Sequence, residues 1–364
     1  MRSGRWTETA VPAGSDLLLS RRSDVPWATL TGPGAPRAVN HVRGTKHITV
    51  KALMARTLQH HCAARGVPAE SIIPETFLLV PRGPGAAPDD DRGALLGRDA
   101  ELSAGGGAPV WICKPTAGAH GSGIAVCRGA ADAVAAVDAA FTAAPPAGAP
   151  ATDGAPAADG EKPWRRARAG RAKPQPAWVV QRLVEDPLLV GGRKFDVRAV
   201  AVLTPDRRVL WYPEYVLRMC SEAHSLEDLG NQFALISNHC VQERSESYGR
   251  GEAGNERFRG DLEERLRARE GALALVEGQM KGIVRATVDA CAEMTEPQPG
   301  DPRTFQVLGY DFIVDAALKV WLLEVNGSPA VAEAMVGDLA RDIVGAVIEP
   351  AVGGGGAGSR FEEI

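Results

Sequence analysis

The stretch Phe305–Pro329, FQVLGYDFIVDAALKVWLLEVNGSP, constrains the fold more than any other part of the chain. It reads as two alternating apolar strands, Phe305–Asp315 and Lys319–Asn326, joined by a short turn. A loop of roughly two or four residues around Ala317–Leu318 sets Asp311 directly opposite Glu324. Asn326 leaves the strand on the same face as Glu324, because side chains alternate with a period of two. Two carboxylates and an amide oxygen thus converge near the end of an apolar ribbon that Gly327-Ser328-Pro329 closes. Such a set is either a pair of solvated acids at a hairpin end or a hard-cation site. For the latter the usual ion is Mg²⁺, which keeps some water and is completed by substrate phosphates.

The 364 residues, 45% hydrophobic and 24% charged, can bury a substantial core in two or three domains. No apolar run approaches the roughly 18–20 residues that span a bilayer, so no membrane segment is expected. The opening MRSGRWTETAVPAG has no apolar core of a secretory signal. The cysteines at 62, 113, 127, 220, 240 and 291 form no C-x-x-C pair and read as cytosolic thiols. Cys220, His224, His239 and Cys240 fit no zinc spacing. A net charge of −4 excludes bulk attraction to nucleic acid, so any basic function is local. Lysine occurs only at 46, 51, 114, 162, 173, 194, 281 and 319, against abundant Arg. A Lys inside a structured motif therefore raises the question of why Arg was not used.

Two further stretches carry chemistry. In Pro109–Arg128, a strand Val110–Cys113 delivers Lys114 to the glycine-rich turn TAGAHGSG, and a strand Ile124–Cys127 follows. This is a flap rather than a P-loop, since it lacks G-x-x-x-x-G-K-[ST]. Bare N–H groups in such a turn can close over phosphates, with Lys114 as a point charge. In Trp178–Val202, a buried strand Trp178–Gln181 runs into Arg182-Leu183-Val184, an extended hinge whose backbone can read an adenine edge. Period two then puts Lys194, Asp196 and Arg198 on one face and Phe195 and Val197 on the other. The apolar run after Arg198 favours an interior strand and a ligand-facing row of charges. Another strand spans Val209–Val216 and continues through Leu217 to Arg218.

The remaining elements are scaffold. Asp16–Ser20 is a short strand or helix, and Thr49 can cap a helix from Val50 to about Ala64, stopped by Gly66 and Pro68. SIIPETFLLVP holds a buried strand, and Pro81–Pro109 is a surface loop with a short helix at Asp91–Leu96. Ala130–Ala140, Leu262–Leu275, Leu275–Cys291 and Val331–Ile348 read as helices. Residues 143–176, Ala/Pro/Gly-rich and then basic, read as a disordered insertion, and 353–364 as a disordered tail.

The Lys114 flap, VVQRLVEDPLLVGGRKFDVR and LGYDFIVDAALKVWLLEVNGSP together resemble the tubulin-tyrosine ligase family of ATP-grasp ligases, over roughly residues 38–350. Further likeness lies in Thr116-Ala117-Gly118-Ala119, Ser237-Asn238-His239-Cys240-Val241-Gln242, Tyr248-Gly249-Arg250 and Gly254-Asn255-Glu256. On these motifs the chain resembles tubulin–tyrosine ligase itself more than the polyglutamylase and polyglycylase relatives. The resemblance implies an α/β (α+β) ATP-grasp fold with the nucleotide held between two sheets. The expected divisions are an N-terminal domain (1–80), a central domain (81–185) and a C-terminal domain (186–352). It implies Asp311, Glu324 and Asn326 as Mg²⁺ ligands, and Lys114 as a phosphate contact. Gln181, Arg182, Leu183 and Val184 match the adenine hinge, Lys194, Asp196 and Asn238 further nucleotide contacts, and Lys46 a lysine that reaches the phosphates. Arg198 and Arg218 match positions that hold substrate carboxylates. The short N-terminal domain and the 143–176 insertion depart from the pattern.

The implied activity is ATP-dependent addition of tyrosine to the C-terminal glutamate of detyrosinated alpha-tubulin through an acyl phosphate, with Lys114, Arg198, Arg218 and Glu324 central to catalysis. The alternatives are a tubulin polyglutamylase or glycylase of the same fold, or a non-catalytic tubulin or nucleotide binder. Such chemistry asks the protein for charge compensation and alignment rather than for a covalent nucleophile. Arg193, Lys194, Arg198, Arg218 and Arg250 offer a local basic lining for an acidic tail. The expected setting is the cytoplasm, with the cytoskeleton as partner.

Overall fold

Alternating apolar residues build two antiparallel sheets in a computed structural model of the chain, which describes residues 7–9, 14–21, 25–30, 32, 34–81, 90–116, 123–142, 177–356 and 358–364. The tip of the glycine-rich flap (117–122) and the 143–176 insertion lie outside the described residues. The chain divides into two compact units, Thr76–Leu183 and Met1–Glu75 with Val184–Ile364.

In the smaller unit the strands β1 (Thr76–Leu79), β2 (Val110–Pro115), β3 (Ala125–Arg128) and β4 (Trp178–Arg182) form one sheet, in the order β1-β4-β2-β3. Leu79, Trp111, Cys113 and Val180 face a core shared with Leu95 of helix Arg92–Ser103 and with Ala133 and Val137 of helix Ala130–Thr142. Alternation leaves Thr76, Ile112, Lys114 and Gln181 for the opposite face, with Gln181 in register with both Thr76 and Ile112. The helix after Asp91 runs well past the expected Leu96. Arg92 anchors its start through Asp138, Asp90 and the Val80 carbonyl, contacts that no local pattern announces.

The larger unit is built on β5 (Arg193–Leu203), β6 (Val209–Trp211), β7 (Val216–Ala223), β8 (Glu256–Phe258), β9 (Gln306–Val314), β10 (Val320–Asn326) and β11 (Glu362–Glu363). The main order is β8-β7-β5-β9-β10, antiparallel throughout. The stretch expected as one strand from Val209 breaks after Trp211, where Pro213 offers no N–H to the ladder, and restarts at Val216. Helix Ala272–Ala290 buries Val276, Met280, Ile283, Val284 and Val288, a helical stripe. Its start is set by Gly271 at φ +72°, so the preceding helix ends at Leu266 rather than Leu275.

The span 1–80 is expected as an N-terminal domain; in the structure residues 1–75 group with this larger unit and the smaller one begins at Thr76. Ala38–Val39 pairs in parallel with Arg303–Thr304, Arg43 grips Asp301, and Val42 N–H donates to Gln306. Further on, Leu322 N–H donates to the Ile72 carbonyl. The final residues also differ from the expected disordered tail. Glu362 and Glu363 extend the sheet as β11 against β6, Phe361 lies 5.1 Å from the Tyr212 ring, and Lys281 pairs with Glu362 at 2.5 Å. Arg360 pairs with Asp342 and Asp338, and the Ile364 N–H donates to the Val209 carbonyl, so ion pairs, an aromatic contact and backbone bonds together dock a segment whose composition reads as tail.

The 305–329 hairpin forms with Asp311 opposite Glu324, but by an unexpected route. Its loop runs between Asp315 and Lys319, whose backbones bond at 3.0 Å, with Leu318 at φ +67°. That loop is one residue off the expected register. A bulge at Leu323 restores it, since Phe312 pairs with Leu322 while Asp311 pairs with Glu324. The bulge also resolves a conflict of faces: strict alternation would put buried Leu322 on the same side as Glu324. Instead Leu322 and Val325 enter the core, and Glu324 and Asn326 are left half-buried beside Asp311.

Gly309, opposite Asn326, permits the close approach of the segment after β10. A Cβ there would lie 2.5 Å from Pro329 Cβ and 3.4 Å from Arg198 Cδ. Gly309→Ala is therefore expected to lower stability by about 1–3 kcal/mol, read as a lower urea midpoint with an unchanged slope. An unaltered midpoint would show that the Pro329 segment yields freely.

Candidate functional site

Strand register assembles the charged face of the larger unit. One cross-strand row reads Glu256–Arg218–Asp196, and the next reads Arg198–Asp311–Glu324. The rows are stitched by guanidinium groups. Arg218 Nε donates to Asp196 Oδ1 at 2.6 Å, and its Nη2 donates to Asp196 Oδ2 at 2.7 Å and Asp311 Oδ2 at 2.8 Å. Arg198 grips Asp311 with Nε and with Nη2, the latter at 2.9 Å. Ser237 Oγ donates to Asp196. Asn326 Nδ2 donates to Glu324 Oε1 at 3.2 Å, and Lys51 Nζ stands 2.8 Å from Glu324 Oε2.

These charges are far from bulk water: Asp196 is 3% and Asp311 2% exposed. Burial pushes the Asp311 carboxyl up, but Arg218 and Arg198 beside it overcome that and hold it well below the usual carboxylate range. Burial opposes the charge of Arg218 as well, and Asp196 and Asp311 restore it, so the guanidinium stays protonated. Lys194, 5% exposed, donates to the Leu235 carbonyl at 2.7 Å, and burial lowers its pKa. Asn238 precedes the short helix His239–Gln242 and accepts backbone bonds there. Arg193 is tied to Glu252 at 2.8 and 2.6 Å, and Arg250 is exposed.

Lys46 is exposed on the short helix Lys46–Thr49. The lysine that meets the acids is Lys51, at the start of helix Lys51–Ala64. Only the scarcity of lysine marked Lys51 in the sequence, because its partner comes from the far end of the chain.

The smaller unit carries a separate polar relay. Lys114 Nζ donates to Gln181 Oε1 at 2.9 Å, and Gln181 Nε2 donates to Thr76 Oγ1 at 2.9 Å. Lys114 is 9% and Gln181 3% exposed. Of the hinge residues, Arg182 ends β4, Leu183 gives its N–H to the Val110 carbonyl at 2.9 Å, and Val184 opens the other unit.

A model of the family described as "Tubulin-tyrosine ligase family" matches residues 33–353. The chain belongs to the tubulin-tyrosine ligase family. Its α+β fold is that of an ATP-grasp-type ligase. Among curated relatives within this family, tubulin glycylase 3C of Tetrahymena thermophila is 29% identical over 47% of this chain and 17% of its own length. Tubulin glycylase 3B of the same organism is 28% identical over 42% of this chain and 13% of its own length. A probable alpha-tubulin polyglutamylase, Ttll1, is 29% identical over 42% of this chain and 38% of its own length. The chain thus spans well under half the length of these relatives. They overturn the expectation that the chain stands nearest to tubulin–tyrosine ligase itself.

The donor types, two carboxylates and one amide, fit a hard cation, and in this structure Arg198, Arg218 and Lys51 supply the positive charge to those carboxylates. Among the described residues no three His, Cys, Asp or Glu side chains gather to hold a metal, so an ion here would rely on the Asn326 oxygen, water and phosphate. A half-turn of the Asn326 amide presents that oxygen. No helix of the described residues is long and apolar enough to cross a membrane.

Proposed function

We propose that this chain is an ATP-dependent carboxylate–amine ligase that adds glycine or glutamate to acidic tubulin tails through an acyl phosphate, in the cytoplasm and at the cytoskeleton. The observation that carries the reading is the Asp311–Glu324–Asn326 set, braced by Arg198, Arg218 and Lys51, in a member of this family. Relatives named as tubulin glycylases and as a polyglutamylase supply the choice of amino acid and acceptor.

Lys114 contacts ATP phosphates as a point charge, and Gln181 holds its ammonium group in place. Gln181 to Val184 face the adenine, with Lys194, Asp196 and Asn238 as further nucleotide contacts. Asp311, Glu324 and Asn326 hold Mg²⁺, which when bound offsets the charge of the transferring phosphoryl group. Arg198 and Arg218 align substrate carboxylates, and Arg218 holds its aspartates through Nε and Nη2, which leaves Nη1 for a substrate.

The test is ATP- and Mg²⁺-dependent incorporation of labelled Gly, Glu or Tyr into tubulin. Incorporation of Gly or Glu is expected. Tyr alone would overturn the choice of amino acid, and no incorporation despite nucleotide binding would overturn the ligase reading.

A further inference from the structure

Glu256 stands at the end of the Glu256–Arg218–Asp196 row, half-buried. Among the described residues, its carboxylate makes no hydrogen bond or ion pair, unlike Asp196, Asp311 and Glu324. A structural glutamate opposite an arginine would take the guanidinium, but Arg218 is already committed through Nε and Nη2 to two aspartates. Around Glu256 stand His239 and Tyr248, whose phenol oxygen lies 3.3 Å from His239 Nδ1. A methyl group placed on Gly254 would sit 3.8 Å from both Tyr248 Oη and Glu256 Cγ, so the three groups border one small space. Burial holds the Glu256 carboxyl above the usual range against the opposing charges of His239 and Arg218, which suits a proton acceptor at neutral pH.

An unpaired carboxylate across the strand pair from a guanidinium whose Nη1 makes no hydrogen bond among the described residues is complementary to a zwitterion: the guanidinium for a carboxylate, the carboxylate for an ammonium group. We infer that Glu256 receives the α-ammonium group of the incoming amino acid and takes the proton whose removal frees the attacking amine. This rests on the ligase reading above. The ammonium nitrogen gives one proton to Glu256, and its lone pair forms the C–N bond at the acyl carbon. The C–O bond to phosphate then breaks, and phosphate leaves with the electron pair and the second proton. Glu256 returns its proton to solvent. His239 and Tyr248 border the side chain of the bound amino acid.

The experiment compares two nucleophiles on the full chain with ATP, Mg²⁺ and tubulin. Hydroxylamine is uncharged at neutral pH and needs no base, so it traps the acyl phosphate as a hydroxamate. In Glu256→Gln, amino-acid incorporation is expected to fall about 100-fold, with a raised KM for the amino acid, while hydroxamate formation stays within about threefold of wild type. Equal loss of both reactions in a variant with wild-type thermal unfolding would overturn the assignment, as would unchanged incorporation. If Glu256→Gln does not fold, Glu256→Asp is read for the same split. Absence of hydroxamate from the wild-type protein would sink the ligase reading itself, and this assignment with it.

Discussion

Glu324→Gln is expected to lower ATP-dependent amino-acid incorporation by about a thousandfold while leaving the fold intact. The amide keeps the shape of the carboxylate and can still meet Asn326, but it offers a cation no charge. Its side chain is 19% exposed and its partner Lys51 22% exposed, so the lost ion pair costs at most about 1 kcal/mol of stability. Activity and stability therefore separate. Initial rates at saturating ATP and Mg²⁺, beside a urea midpoint, make the comparison. A variant within tenfold of wild type would remove Glu324 from the metal set. A collapse of the midpoint would instead make the residue a structural brace.

Arg218→Met should cost stability as well as activity, with a loss of about 3–5 kcal/mol in stability, because it strips a cation from two buried carboxylates. Asp311 keeps Arg198, but Asp196 is left with the Ser237 hydroxyl as its hydrogen-bond donor and Lys194 as the nearby cation. Combining the change with Asp196→Asn should recover part of the loss, a coupling that chemical denaturation measures. The pH dependence carries a sign. In the wild type the Asp311 carboxyl lies below its unfolded value, so its stabilisation is present above about pH 4 and is lost as pH falls through that range toward the folded pKa. In Arg218→Met the Asp311 carboxyl keeps only the Arg198 guanidinium to hold it down, so this loss on acidification should be smaller. Parallel pH profiles for the two proteins would show that Arg218 does not hold the Asp311 carboxyl down.

Much of the charged face was legible because strand periodicity is local. Alternation alone put Lys194, Asp196 and Arg198 on one face, and the hairpin itself was legible, although Asp311 meets Glu324 through a bulge and a loop one residue off the expected register. The family was equally legible, since its motifs are contiguous. The amino acid added was not, because His239, Tyr248 and Glu256, to which the proposal assigns it, are brought together from a stretch with little periodicity.

Short-range sterics, which alternate side chains and break strands at proline, belong to the chain as written. Pairings between distant segments do not, because they are chosen by the burial of whole surfaces. Tertiary packing alone decided the bulge at Leu323, which keeps Leu322 in the core and Glu324 at the face. It also brought Lys51 to Glu324, set Glu256 opposite Arg218, and docked residues 1–75 and the C-terminal strand onto the larger unit. Each of these contacts joins residues that are mute locally, and each is stabilised only once the sheet that presents both partners has formed.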